Sequence, residues 1–217
     1  MKKLAIIGAG LSGLSLAHLL KDKAQISIFE KSRGHGGRMA SRYREPFVFD
    51  HGAQFFTVKT KAFADFIEPM LETGIIKPWH ARFVEFEGEN RIWHKQWNNT
   101  YAHYVCVPGM HSMADKLAES VQVHLKTPVV QIKKQNNWAL YDQNNQCLGS
   151  FDWVITANPP QQAYQLLNTN ASYAGNLNKV RMSACFSLML GFDQMMDLDF
   201  DAALVRDKDI SWISVMH

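Results

Sequence analysis

An α/β fold, with a Rossmann-like dinucleotide-binding domain and a second, strand-rich domain, is predicted by three observations. A short apolar run from Lys3 to Ile7 leads directly into Gly8-Ala9-Gly10-Leu11-Ser12-Gly13. That loop opens into helical periodicity, and a second apolar run, Ile26-Ser27-Ile28-Phe29, ends in Glu30. From Ala81 onward the pattern turns to the alternation of half-buried strands.

Taken in order, the elements follow from spacing and turn chemistry. Leu11, Leu14, Leu16, Ala17, Leu19 and Leu20 place an apolar stripe on a first helix, which ends near Lys21-Asp22-Lys23. Residues 31–54 show no clear periodicity and read as a long functional link rich in Gly, Arg and His. Thr60 to Leu71 predicts a helix, with Pro69 expected to kink it or stop it early. Residues 81–96 predict two antiparallel strands joined at Gly88-Glu89-Asn90. Val105 to Gly109 reads as a return to the nucleotide domain, and Met110 to Ser120 as a helix. Strands are expected at 121–125, 129–132, 138–141 and 152–157, followed by a short helix from Gln161 to Leu167. The apolar, Met-rich segment from Arg181 to Phe192 predicts a long strand, and residues 210–215 another. The domains are expected at 1–54 with 105–168, and at 55–104 with 169–217. The chain reaches His217 two residues after a strand, without a closing helix, so the second domain looks incomplete.

Bulk properties narrow the function. The composition, 47% hydrophobic and 20% charged over 217 residues, suits one or two ordinary globular domains. A net charge of +3 without a Lys/Arg block gives nucleic-acid binding little support. No apolar run approaches a membrane span, and no signal-peptide pattern opens the chain, so a cytoplasmic location is expected. Three scattered cysteines make neither a disulfide framework nor a metal-ligand spacing, and no metal is expected.

The glycine loop carries the chemistry. Gly8 permits a tight turn out of the strand, Gly10 lets the backbone approach a pyrophosphate, and Gly13 brings helix and strand together. Helix N–H groups and the helix dipole then favour the phosphates. Glu30, about twenty residues on, is placed to accept from ribose hydroxyls. Gly36-Gly37-Arg38 and Asp50-His51-Gly52-Ala53-Gln54-Phe55-Phe56 extend the pattern and identify the dinucleotide as FAD.

With these motifs, the sequence resembles the flavin amine oxidase superfamily, and within it the renalase-like NAD(P)/FAD-dependent oxidoreductases. The resemblance rests on residues 8–14 with Glu30, on Lys31 to Arg42, on Phe49 to Thr57, on Val107-Pro108-Gly109-Met110 and on Trp153 to Pro159. It implies a cofactor-binding set of Gly8, Gly10, Leu11, Ser12, Gly13, Glu30, Lys31, Arg33, Gly36, Gly37, Arg38, Met39, Gln54, Phe55, Phe56, Val129, Val130, Ala157 and Pro159. In that set Arg33 and Arg38 would follow the pyrophosphate, Gln54 and Phe55 would approach the flavin, and Val129 or Val130 would meet the adenine. Ala157 and Pro159 would lie near the adenosine. The resemblance also implies a C-terminal continuation with a Gly-Asp segment near the flavin, which this sequence does not contain.

The expected activity is hydride transfer from a small reduced substrate, a dihydronicotinamide isomer or an amine, with oxygen as electron acceptor. Two alternatives stay open: a catalytically inactive nucleotide-binding fragment of such an enzyme, and an NAD(P)-dependent dehydrogenase without flavin. No catalytic residue is assigned. Asp50 and His51 could form an acid–base pair, but a turn-capping Asp50 and a packed His51 are the favoured reading. An open sheet edge would invite a homodimer.

Overall fold

The computed structural model describes residues 1–167 and 171–215; the domain junction expected at 168/169 lies outside them. Two compact units are present: Met1–Ala40 with Ala114–Phe186, and Ser41–Met113 with Ser187–His217.

In chain order, the first unit begins with β1 (Lys2–Ile7), α1 (Leu11–Leu20) and β2 (Ala24–Phe29). The second unit then adds β3 (Ser41–Arg44), β4 (Phe47–Asp50), β5 (Phe56–Thr57), α2 (Lys61–Glu72), β6 (Ile76–Pro78), β7 (Arg82–Glu87), β8 (Asn90–Gln96) and β9 (His103–Cys106). Helix α3 (His111–Ala118) crosses the boundary. Back in the first unit come β10 (Gln122–His124), β11 (Gln131–Lys134), β12 (Trp138–Tyr141), β13 (Cys147–Phe151), β14 (Trp153–Thr156), α4 (Pro160–Leu167) and α5 (Ala174–Leu177). The second unit closes with β15 (Ala202–Arg206) and β16 (Trp212–Ser214).

The first unit is a parallel sheet in the order β10-β2-β1-β14, with every neighbouring pair parallel. Strands β1 and β14 are buried or half-buried through Leu4–Ile7 and Val154–Thr156, as expected of a sheet covered on both faces. An antiparallel meander, β11-β12-β13, packs against it. Ala5, Ile7 and Phe29 from the parallel sheet meet Ile132, Leu140 and Phe151 from the meander, with Leu166 of α4 completing the cluster. Helix α1 buries Gly13, Leu14 and Ala17.

The second unit holds a hairpin, β3-β4, and two further sheets, β5-β9-β6 and β16-β15-β7-β8. In the larger sheet β15 runs parallel to β7, and Asp201 ties the pair by accepting from the Arg82 backbone N–H at 2.7 Å and from its guanidinium at 2.8 Å.

Several expectations need correction. Arg181–Phe192 is extended but has no ladder partner among the described residues; Phe186 is 95% exposed, and Leu188 and Leu190 are also exposed. An apolar run alone does not supply the neighbouring strand that a ladder needs. The link over 31–54 contains the β3-β4 hairpin, which turns at Glu45-Pro46. Helix α2 runs through Pro69 to Glu72; so near the C-terminus, Pro forfeits one hydrogen bond without ending the helix. Val129 and Val130 precede β11 rather than belonging to it. Strands β13 and β15 were not expected at all. The compact units also part from the expected domains. The hairpin and residues 105–113 lie in the second unit, and 171–186 lies in the first.

Candidate cofactor site

The C-terminal ends of β1, β2 and β14 converge on one edge of the parallel sheet. The chain passes from β1 through α1 to β2 and on to β10 in one direction, whereas β14 pairs on the other side of β1. The order therefore reverses between β1 and β14, the crevice where open α/β sheets receive ligands. Lys3 N–H donates to Asp152 Oδ2 at 2.8 Å, and Ala157 N–H donates to Ile7 O at 2.8 Å. The first bond joins the two strands at their N-terminal ends and the second joins them at the crevice edge.

Helix α1 begins at this edge with Gly10 as its N-cap, in extended conformation and without a side-chain cap. Its first turn has no acidic residue. The N–H groups of Leu11, Ser12 and Gly13 are thus left for a ligand, and the helix dipole favours an anion there. A Cβ on Gly10 would meet no protein atom within 4 Å. A Cβ on Gly13 would lie 2.1 Å from the Gly8 carbonyl oxygen, so only glycine lets α1 sit this close to the loop.

Glu30 is buried, and its role is more than the ribose contact expected of it. Its Oε2 accepts from Ala9 N–H and its Oε1 from Ser32 N–H, both at 2.8 Å. The carboxylate fastens the glycine loop to the tip of β2, and each oxygen keeps acceptor capacity for a hydroxyl. The segment after β10 is pinned to the same tip: Thr127 N–H donates to Glu30 O and Lys126 N–H to Ser32 O, each at 2.9 Å.

The second glycine pair closes over the first loop. Gly36 N–H donates to Ala9 O at 2.9 Å. Gly37 has φ +56°, and a Cβ on it would come within 3.2 Å of Gly10 Cα. Met39 is buried beneath this turn, while Arg33 and Arg38 are exposed and hold no ion pair among the described residues. Lys31, also exposed, donates to Gln162 Oε1 at 3.2 Å. His35, not singled out from sequence, has Nδ1 3.0 Å from Asp115 Oδ1 of α3 and ties the turn to that helix.

The remaining candidates divide between the units. Val129 packs on the core cluster, and Val130 N–H is spent on Tyr141 O at 2.9 Å. Ala157 lies at the crevice and Pro159 is exposed beside it. Asn158 between them has a buried Oδ1 without a partner, which a sequence pattern does not reveal. Gln54, Phe55 and Phe56 belong to the second unit. There Phe55 sits in an aromatic cluster, with ring centroids 5.2 Å from Trp97, 5.3 Å from His103, 5.7 Å from Trp212 and 5.8 Å from Trp79. Phe56 stacks on Tyr104 at 5.7 Å. Burial lowers the His103 pKa below the usual histidine value, so the ring stacked on Trp97 at 3.7 Å is neutral near pH 7.

Residues 6–68 match the NAD(P)-binding Rossmann-like domain family, and residues 75–199 match the flavin containing amine oxidoreductase family. The chain belongs to the flavin containing amine oxidoreductase family. It is 27% identical over 179 residues to renalase from Mus musculus, covering 76% of this chain and 49% of the relative. It is 30% identical over 146 residues to a 1-hydroxycarotenoid 3,4-desaturase from a Flavobacterium species, covering 67% and 26%. The chain thus spans about half or less of the length of these curated relatives. In fold it is similar to a protoporphyrinogen oxidase structure from Exiguobacterium, with TM-score 0.69 and 13% identity over 97% of this chain and 72% of that one. It also resembles a putrescine oxidase variant, with TM-score 0.59 and 13% identity over 76% and 59%.

Membership gives FAD as the cofactor. The residues present fit that group. The uncapped α1 N-terminus, the open face of Gly10 and the exposed Arg38 suit a pyrophosphate, and Glu30 suits a ribose. Among the described residues, no helix is long and apolar enough to cross a membrane.

Proposed function

We propose that the chain carries the cofactor-binding core of an FAD-dependent oxidoreductase that oxidises a small reduced molecule, with oxygen as the electron acceptor. When bound, FAD supplies the two-electron acceptor for a hydride from the substrate. The favoured substrate is a dihydronicotinamide isomer, and an amine is the second. The renalase-like resemblance of the sequence supports the first, and the flavin containing amine oxidoreductase family supports the second.

The chain's own residues divide the work. In the first unit the N–H groups at the start of α1 bind the pyrophosphate, and Arg33 and Arg38 neutralise its remaining charge. Glu30 orients the adenosine ribose while holding the loop closed. Val129 offers its backbone to the adenine. Gln54 and Phe55 are the residues that the family resemblance proposes for the flavin ring.

The single observation that carries this reading is the helix N-terminus left without side-chain cap or acid at the reversal point of a parallel sheet. The test is the absorption spectrum of the purified chain after FAD addition and desalting. A retained, structured flavin band is expected, followed by peroxide release on adding dihydronicotinamide isomers. A folded chain that retains no flavin favours the inactive-fragment reading instead. Peroxide with amines alone shifts the substrate to the second choice.

A further inference from the structure

A dense group of polar side chains in the second unit has no part in the cofactor site described above. It lies where the β3-β4 hairpin meets the start of α3. Tyr43 Oη contacts His111 Nε2, His111 Nδ1 lies 2.8 Å from Ser41 Oγ, and Ser41 Oγ contacts Asp50 Oδ1. The same Asp50 oxygen accepts from Met110 N–H at 3.0 Å, which fixes the carboxylate against the helix start. Ser41 and Asp50 are paired across the hairpin register, so the contact between them is built into β3 and β4. Gly109 makes room for the group: a Cβ there would fall 2.9 Å from Ser41 Oγ and 3.0 Å from His111 Nδ1.

The donor directions in this row follow from its end. An ionised Asp50 only accepts, so Ser41 O–H donates to it. Ser41 Oγ then accepts from His111 Nδ1–H. A neutral His111 leaves Nε2 as an acceptor, and Tyr43 O–H donates there. These three side-chain contacts then run from the exposed Tyr43 toward the half-buried Asp50. The thiol on β9 that faces Asp50, Cys106, is pushed up to about 12 mainly by burial and stays a neutral bystander.

We propose that Tyr43, His111, Ser41 and Asp50 form a proton relay between solvent and the Asp50 carboxylate. A proton given by a solvent hydronium to Tyr43 Oη displaces the Tyr43 proton to His111 Nε2. The His111 Nδ1 proton passes to Ser41 Oγ, and the Ser41 proton passes to Asp50 Oδ1. Asp50 ends as a carboxylic acid, the hydronium is left as water, and the other groups keep their proton count. The reverse sequence returns the proton. Asp50 stands four residues before Gln54, at the head of the segment proposed for the flavin side. The use of this proton in redox turnover rests on the flavoenzyme reading; the relay itself does not.

Two measurements test it. The first uses the full chain without cofactor and reads the His111 imidazole by nitrogen NMR. The neutral ring is expected as the Nδ1–H form, and Ser41→Ala and Tyr43→Phe are each expected to move its titration midpoint. An Nε2–H form, or a midpoint indifferent to both substitutions, overturns the relay. The second uses the FAD-loaded chain. His111→Ala is expected to slow the proton-dependent step about 10²-fold, with free imidazole restoring part of the rate and the pH profile. A slowed variant that imidazole does not rescue makes His111 structural and overturns its transfer role. Failure to hold FAD would sink the flavoenzyme reading while leaving the NMR result decisive for the relay.

Discussion

Glu30 shows how much a single residue can reveal and conceal. The spacing from the glycine loop found the acid and assigned it to a ribose. The structure adds that both its oxygens hold backbone N–H groups, from Ala9 and Ser32. Such closure bonds depend on a loop conformation that no spacing encodes. Glu30→Ala is therefore expected to cost stability even without cofactor, about 1–3 kcal/mol for the Ala9 N–H left buried and unpaired. Thermal denaturation of the apoprotein measures it, and an unchanged midpoint would reduce Glu30 to a ligand contact. Gly13→Ala is expected to be worse for both stability and FAD affinity, because the added carbon meets the Gly8 oxygen at 2.1 Å; overpacking of this kind costs roughly 1–3 kcal/mol or more. Thiol labelling at pH 8 should modify Cys147 and Cys185 in the native chain but spare Cys106, which is buried and held protonated. Labelling of all three at equal rates would contradict that burial.

At the scale of elements, periodicity was legible wherever one face of a strand or helix is buried and the other wet. Helices α2 and α3 are examples. It failed where pairing, not pattern, decides. Arg181–Phe192 has the composition of a strand but no ladder partner among the described residues. Conversely β13 and β15 are short, and β15 is a strand because β7 and β16 flank it. The pairing of β1 with β14 depends in addition on Asp152, whose carboxyl is held below the usual range by the Lys2 ammonium at 2.9 Å and the Lys3 N–H at 2.8 Å. A depressed folded-state pKa gives stability that is present above the unfolded value and is lost as pH falls through the folded one. The window for Asp152 therefore lies below about pH 4. Asp152→Asn should flatten the decline of melting temperature there. An acid limb identical to that of the parent would assign the decline to other carboxylates.

For the whole molecule, the larger sheet of the second unit ends in β16 on one side and β8 on the other. Strand β8 carries Arg91, His94 and Lys95 along its length, charges that discourage another strand from adding. Strand β16, Trp212-Ile213-Ser214, has no charge. We expect two chains to pair through β16 into a homodimer, with Ile213→Lys shifting the population to monomer in light scattering across a concentration series. A parent chain that is monomeric throughout would remove this expectation.

The crevice between β1 and β14 also sets an order of events in the cell. Its walls are β1 and β14, strands that the Lys3–Asp152 bond joins across 149 positions. Such non-local pairing forms late, after the chain between has been made and the loop-closure entropy overcome. During synthesis the recognisable glycine loop emerges first, yet its opposite wall is absent until residues 153–157 follow. Cofactor capture therefore waits until residues 153–157 have paired with β1, and a chain stopped before that point would carry the signature of a flavoprotein without the means to hold a flavin.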